Sequence, residues 1–124
     1  MEEKGTFSYR TLKAYQEAKT YAHEINELLK SFPSEERFAM TDQLRRSSTS
    51  VMYNIAEGCG RFSIKEQVHF VEIAFGSLLE SMSQLELAQD YNYITEGQLG
   101  LIEQRVELIA KLLSGYRKSL LNKL

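Results

Sequence analysis

Few residues in this sequence have the chemistry of a catalyst, and their spacing matches none of the usual arrangements. The 124-residue chain has two histidines and one cysteine. His23 falls at the polar edge of a predicted helix, where a solvated imidazole is expected, and Cys59 falls on an apolar face, where a buried thiol is more frequent than a nucleophile. No serine is placed by the sequence beside a general base. We therefore expect no enzymatic activity, no catalytic residue and no cofactor.

One pair of residues, Glu66 and His69, has a spacing that is used to bind metal. Di-iron carboxylate bundles contain this Glu-x-x-His pattern, but their sites need two copies of it and two further inward-facing glutamates. The sequence has one copy, and both side chains are predicted to project away from the core stripe of their helix, so we expect no metal site. Gly58-Cys59-Gly60 resembles part of a phosphate loop, but it follows a helix rather than a strand, so turn formation explains it better.

A polar run between residues 43 and 61 is the most unusual segment of the chain. Serine, threonine and asparagine occur there within a helical pattern, although they are indifferent helix formers. A helical wheel places five polar residues in one stripe: Arg46, Ser50, Asn54, Glu57 and Arg61. Its arginines could bind phosphate, because a guanidinium offers paired donors to an anionic oxygen. We favour the alternative, that the stripe residues satisfy one another or hold a neighbouring helix or subunit, because Glu57 lies between the two arginines.

Helical periodicity in four segments predicts the elements that would position these residues. The predicted helices cover about residues 10–31, 41–59, 64–91 and 96–121. Their short connections favour an all-α fold, an antiparallel up-down-up-down four-helix bundle. The length suits one domain, covering residues 1–124, and leaves no room for a second core.

Local signals predict where the helices begin and end. Pro33 lacks an N–H group and ends the first helix. Thr41 is the expected N-cap of the second, and Gly58 and Gly60 are expected to end it in left-handed conformations. Further signals are a short turn, two capping boxes and a helix stop, in that order: Ser34-Glu35-Glu36, Ser63–Glu66, Thr95–Gln98 and Asn92.

Two stripes remain after a single bundle has buried its core. On the third helix the second stripe consists of small and apolar residues: Phe70, Ala74, Ser77, Ser81 and Ala88. On the fourth helix, roughly opposite its core, it consists of leucines: Leu101, Leu108 and Leu112. Because a monomer rarely exposes a contiguous apolar patch, we expect these surfaces to join the subunits of a homo-oligomer. The alternative is a wide core stripe that buries them within one chain.

Composition excludes several classes of partner and compartment. With a formal net charge of −2, the chain is not expected to coat DNA through a uniformly basic surface, although a local basic patch is compatible with that charge. No apolar run approaches the roughly 18–20 residues of a membrane span, and the charged N-terminus is not an export signal. A single cysteine fits a reducing compartment. We therefore expect a cytoplasmic protein without a membrane partner.

Several short motifs along the chain resemble one known family. They are Phe32-Pro33-Ser34-Glu35, Gln43-Leu44-Arg45-Arg46, Asn54-Ile55-Ala56-Glu57-Gly58, Gly60-Arg61 and Ala74–Glu80. Together they resemble the 23S rRNA intervening-sequence proteins, from about Leu12 to Leu113. That family is encoded within or near inserted sequences of bacterial ribosomal RNA genes. It is similar to the accessory variability determinant proteins of diversity-generating retroelements, which form pentameric barrels and partner a reverse transcriptase.

The resemblance implies a four-helix bundle, a homopentamer, a bacterial cytoplasmic setting and a role with nucleic acid, without an established enzymatic activity. One functional hypothesis is therefore a non-enzymatic oligomer that binds RNA or DNA. Its candidate binding residues are Arg45, Arg46, Arg61 and Lys65. A basic tail would add to them: Arg117, Lys118 and Lys123. The alternative is a protein-interaction scaffold for a partner such as a reverse transcriptase, without direct nucleic-acid binding.

Overall fold

The computed structural model describes residues 5–124, which form four long α-helices. The helices are α1 (Lys13–Leu29), α2 (Met40–Cys59), α3 (Ile64–Asp90) and α4 (Glu96–Leu121). Short 3-10 turns precede the first two of them: Ser8–Thr11 and Ser34–Glu36. No strand occurs in the part of the chain that the structure describes. The predicted all-α four-helix bundle is confirmed.

Each helix packs against the next one along the chain, and α4 closes the bundle against α1. The most extensive of these interfaces joins α2 and α3. The largest fully buried apolar side chains of the core come from all four helices: Tyr21, Ile25, Leu44, Val51, Ile55, Leu78, Leu85, Ile109, Leu113 and Leu120. Burial of such a side chain stabilises a fold by about 1.5–3 kcal/mol. The bundle therefore rests on the apolar stripes that the sequence periodicity indicates.

One buried hydrogen bond crosses the core between α1 and α3. The Tyr21 hydroxyl lies 2.7 Å from Ser81 Oγ, and Ser81 Oγ in turn donates to the Leu78 carbonyl oxygen at 2.7 Å. Burial raises the pKa of the Tyr21 phenol to about 12, against the smaller opposing effect of the Ser81 hydrogen bond.

Side-chain caps fix the starts of α3 and α4. Ser63 Oγ accepts a hydrogen bond from the Glu66 backbone N–H at 3.1 Å. Thr95 and Gln98 form a complete capping box, with bonds of 3.0 and 2.8 Å between each side chain and the backbone N–H of the other. Asn92 follows α3 with a φ of 65°, the left-handed conformation that asparagine tolerates. The predicted boundaries are confirmed, with a full capping box at Thr95–Gln98 and only the N-cap bond of the predicted box at Ser63–Glu66.

The predicted bounds of α2, residues 41–59, agree with the structure within one residue, but the predicted caps at its two ends are wrong. The helix begins at Met40 after Ala39, which has no side-chain cap, so Thr41 lies inside the helix. Neither Gly58 nor Gly60 has a positive φ. Gly58 instead permits close packing: a Cβ atom at this position would lie 2.8 Å from Phe70 Cβ on α3. The glycine lets the two helices approach just before the turn that joins them.

The second stripe of α3 lies largely inside the chain. Ala74, Ser81 and Ala88 have 0% exposure, and Phe70 and Ser77 are half-buried against α2. A second subunit cannot reach the three fully buried residues, so for them the expectation of a subunit interface gives way to the alternative of a wide core stripe. The physical reason is the close packing of α2 on α3, which draws the small residues of α3 into the core.

The leucines of α4 are placed differently. Leu101 is 69% exposed and Leu108 is 39% exposed, while Leu112 is half-buried against the core. Their role in joining subunits stays a prediction.

Candidate nucleic-acid interface

The polar stripe of α2 lies along α3 and is held there by hydrogen bonds. Ser50 Oγ lies 2.9 Å from Ser77 Oγ on α3. Asn54 Nδ2 donates to both Ser50 Oγ and the Ser50 carbonyl oxygen, each at 2.8 Å. We call this contact, formed by Ser50, Asn54, Glu57, Arg61, Phe70 and Ser77, the α2–α3 seam. The Ser50–Ser77 bond joins two helices of one chain, and the Asn54 bonds orient Ser50 from within α2. Both agree with the structural interpretation that the sequence favours.

Arg61 closes the seam at its C-terminal end. Its Nη2 atom donates to Glu57 Oε1 at 3.1 Å, and its guanidinium carbon lies 4.5 Å from the centroid of the Phe70 ring. Its carbonyl oxygen accepts a hydrogen bond from Gln67 Nε2 at 2.8 Å. Both the charge and the planar face of the guanidinium are therefore engaged within the chain.

The other predicted phosphate-binding residues do not form one patch with Arg61. Arg46 turns away from the seam, and its Nε atom lies 3.1 Å from Asp42 Oδ2. Lys65 is exposed in the first turn of α3. Arg45 lines a concave surface between α1 and α2. Of the basic tail, Arg117 and Lys123 line separate surfaces elsewhere on the bundle.

The concave surface lined by Arg45 is a groove of about 360 Å³. The side chains at its polar rim come from both helices: Lys19, His23, Asn26, Arg45, Thr49 and Tyr53. Its floor is mostly apolar and includes Ala22, Ile25 and Met52. Among the described residues that line it there is no carboxylate. The rim thus brings cationic and aromatic side chains together over an apolar floor.

A second groove, of about 550 Å³, continues the first along α1 towards the start of the helix. Lys19 and His23 line both grooves. The second groove adds Arg10 and two aromatic rings, Tyr9 and Tyr15, and its described lining again contains no carboxylate. We call the combined surface the basic groove and define it by Tyr9, Arg10, Tyr15, Lys19, His23, Arg45 and Tyr53.

The helical period of α1 separates two of its three acidic residues from this groove. Glu17 and Glu24 point towards α4, where both accept hydrogen bonds from Arg105. The bond to Glu24, at 2.9 Å, is the largest cause of a raised pKa for the Arg105 guanidinium. The third, Glu27, pairs with Lys30. Lys19 and His23 lie on the other side of the helix from Glu17 and Glu24, facing α2.

The aromatic residues of the basic groove lie close to one another. The rings of Tyr9 and Tyr15 pack edge to face, with their centroids 4.8 Å apart. Burial raises the pKa of the Tyr15 phenol, and the charges of Tyr9 and Tyr53 raise it further while Arg10 lowers it. Tyr53 is 61% exposed on the α2 wall.

Sequence reasoning found Arg45 but missed the rest of the basic groove. The acid-free face of α1 is visible on a helical wheel, and Lys19, Tyr15 and His23 share it. The sequence did not reveal that this face lies beside the Arg45 and Tyr53 side of α2, because that depends on which helices are neighbours.

The candidate metal and nucleophile residues have structural surroundings. Glu66 and His69 are exposed. Within residues 5–124 no group of three or more histidine, cysteine, aspartate or glutamate side chains is placed to hold a metal ion. Cys59 is buried as expected, with Sγ 3.7 Å from the hydroxyl of Tyr116, and burial raises the pKa of that phenol, as does its contact with Cys59. None of the helices described is both long enough and apolar enough to cross a membrane.

Comparison with known proteins identifies a family and a similar solved structure. Residues 10–115 match a family model described as 23S rRNA-intervening sequence protein. The fold is similar to the crystal structure of a protein of unknown function from the S23 ribosomal protein family of Bacteroides thetaiotaomicron, with a TM-score of 0.78 and 30% identity, covering 85% of this chain and 98% of that one. No curated protein matches the sequence. The predicted similarity to the retroelement accessory proteins is not confirmed by these matches and stays a prediction.

Proposed function

The chain belongs to the 23S rRNA-intervening sequence protein family, and we propose that it is a non-enzymatic, homo-oligomeric accessory protein that binds RNA or DNA in the bacterial cytoplasm. The observation that carries this proposal is the basic groove, where cations from two helices line a concave surface without a carboxylate among its described residues. The proposed assembly is a pentamer, as the resemblance implies.

Ion pairing distinguishes the groove cations from four of the five other arginines, the exception being the exposed Arg37. Four arginines outside the groove are paired with carboxylates: Arg46 with Asp42, Arg61 with Glu57, Arg105 with Glu17 and Glu24, and Arg117 with Glu72. Arg10, Lys19 and Arg45 form no ion pair with any residue in 5–124. Such cations bind a phosphate without first breaking an internal pair, arginine through paired donors and lysine as a compact charge.

A net charge of −2 is compatible with this function because the charges are separated in space. Contacts to phosphate are short-ranged at physiological salt, where the Debye length is about 8 Å. Repetition of the groove around an oligomer adds avidity to a patch that is weak in one subunit.

The exposed leucines of α4 support assembly. Leu101 and Leu108 line a shallow surface of about 450 Å³ between α4 and α1, together with Glu24 and Arg105. This surface and the basic groove lie on different sides of α1, since Glu24 faces α4 whereas Lys19 faces α2. Association through the leucines therefore leaves the basic groove open to a ligand.

The test is binding of labelled structured RNA by fluorescence anisotropy at low salt. The groove variant carries Lys19→Gln and Arg45→Gln, and a matched control with the same change in charge carries Arg37→Gln and Lys111→Gln, both exposed outside the groove. We expect the affinity of the groove variant to be at least about tenfold lower than that of the wild type. The slope of log K against log salt concentration should fall in magnitude by about two, since two cations are removed. The affinity and the slope of the control should change little. Wild-type binding no stronger than that of an acidic control protein, or equal losses in both variants, would contradict the proposal.

A protein-interaction scaffold is the second candidate function, and the apolar side chains on the surface favour it. Phe62 is fully exposed and Phe38 is 87% exposed, each at a turn next to a helix end of α2. A protein partner such as a reverse transcriptase would bury these rings. Under this hypothesis Phe38→Ser and Phe62→Ser abolish capture of the partner, whereas the Lys19→Gln, Arg45→Gln variant retains it.

A further inference from the structure

We infer that the basic groove binds unpaired nucleotides of a single strand, with a base stacked on Tyr53 and phosphates of the same strand held by Lys19 and Arg45. The inference rests on the nucleic-acid-binding function proposed above. It narrows the proposed ligand from nucleic acid in general to unpaired single strands, and it excludes duplex RNA or DNA.

Tyr53 provides the first step of the argument. Its side chain is 61% exposed on the wall of the groove, and within residues 5–124 no other aromatic ring packs against it. An exposed aromatic ring on a basic surface is the platform on which proteins stack the bases of single strands. In a duplex the faces of the bases are already covered by their neighbours, so only an unpaired base gains this contact.

The spacing of the cations suits a strand that runs along the groove. Arg45 precedes Tyr53 by eight residues on α2, which corresponds to about 12 Å along the helix. That distance spans about three to four nucleotides at a stacked spacing of roughly 3.4 Å. Lys19 lies on the facing wall, and Arg10 extends the positive charge beyond it. The same surface therefore offers phosphate contacts on both sides of the stacked base.

The shape of the groove gives a third reason. Its two parts measure about 360 and 550 Å³, within the range of sites that enclose a small ligand. The apolar floor, which includes Ala22 and Met52, is suited to the face of a base. A free nucleotide has the same base and phosphate chemistry as a segment of strand, so the two sources must be separated by experiment.

The experiment compares an oligouridylate, an oligoadenylate, a blunt duplex of equal length, and adenosine monophosphate as a competitor. We expect wild-type protein to bind the single strands more tightly than the duplex. Tyr53→Leu and Tyr53→Gln each lower single-strand affinity by about tenfold, because they remove one stacked base, whereas Tyr53→Phe keeps the wild-type affinity. Binding of the duplex is unchanged in all three variants.

Tyr91→Leu is the matched control, since Tyr91 is 52% exposed at the end of α3 and does not line the groove. Thermal melting of each variant checks that it is folded. Equal wild-type affinity for single strands and duplex, or a Tyr53→Leu variant that behaves like Tyr91→Leu, would overturn the inference while leaving nucleic-acid binding intact. If adenosine monophosphate displaces the labelled single strand at the same concentration as an unlabelled oligomer does, the ligand is a free nucleotide and the inferred single strand is wrong. Absence of all binding would refute the proposed function itself.

Discussion

The two sides of α2 carry similar polar residues but differ in what those residues contact. On the α2–α3 seam, Arg61 is paired with Glu57 and covers the Phe70 ring. On the basic groove, Arg45 has no carboxylate partner among residues 5–124 and faces Lys19 across a cleft. The difference teaches that an arginine in a sequence motif indicates a binding site only when the fold leaves its charge uncompensated.

The comparison also separates stability from binding. Side chains of the seam stabilise the packing of α2 on α3, whereas the cationic side chains of the groove, Arg10, Lys19 and Arg45, are exposed and contribute little to the folded state. Variants of the seam are therefore expected to change the free energy of unfolding, and variants of the groove are expected to change affinity for nucleic acid. A third surface, the leucines of α4, is predicted to join subunits and so to set how many grooves act together.

The largest effect is expected from that third surface. The double variant Leu101→Glu, Leu108→Glu places two charges where we predict a subunit contact, so the oligomer dissociates into 14.3 kDa monomers. Loss of avidity then weakens the apparent affinity for nucleic acid by about 100-fold or more. Light scattering and fluorescence anisotropy measure the two consequences.

A matched control for this variant is available on α3. Leu79 and Leu87 are also exposed, at 52% and 42%, and Leu79→Glu, Leu87→Glu makes the same chemical change elsewhere. We expect it to leave both mass and affinity unaltered. If wild-type protein itself scatters as a monomer, the predicted assembly is wrong and the groove must be judged on the affinity of a single copy.

The second-largest effect is expected where α2 and α3 approach each other closely at the seam. Gly58→Val introduces a Cβ atom 2.8 Å from Phe70 Cβ, and neither atom is the end of a flexible side chain. We expect a loss of about 2 kcal/mol in the free energy of unfolding, since overpacking forces the two helices apart. Urea denaturation measures this loss. Gly76→Ala is the control, because its Cβ meets open space, and we expect it to stabilise α3 by about 0.5–1 kcal/mol.

The difference between the predicted and the observed role of Gly58 shows how far the sequence predicts the fold. Periodicity and capping residues predicted four helices and their order, because both signals are local. The role of Gly58 was misjudged, because a glycine that ends a helix and a glycine that admits a neighbouring helix look alike in sequence. The structure distinguishes them by its φ angle and by the contact with Phe70.

The candidate site was less predictable than the fold for the same physical reason. The stripe from Ser50 to Arg61 was visible as a helical pattern, and its structural interpretation required no partner outside the chain. The basic groove requires two faces that are far apart in the sequence, such as Lys19 and Arg45, to become neighbours. Only the packing of α1 beside α2 brings them together, and no spacing rule in a single sequence reports it.

The smallest effect tests whether the seam is purely structural. Asn54→Ala removes two hydrogen bonds of 2.8 Å to Ser50, and we expect a loss of about 1 kcal/mol in the free energy of unfolding. Affinity for nucleic acid should stay at the wild-type value, because Asn54 lies on the α3 side of α2. Asn26→Ala is the converse control, since Asn26 is exposed in the basic groove, and its free energy of unfolding should change by less than about 0.5 kcal/mol. A loss of binding in a still-folded Asn54→Ala protein would show that the seam takes part in recognition, and the distinction between the two sides of α2 would fail.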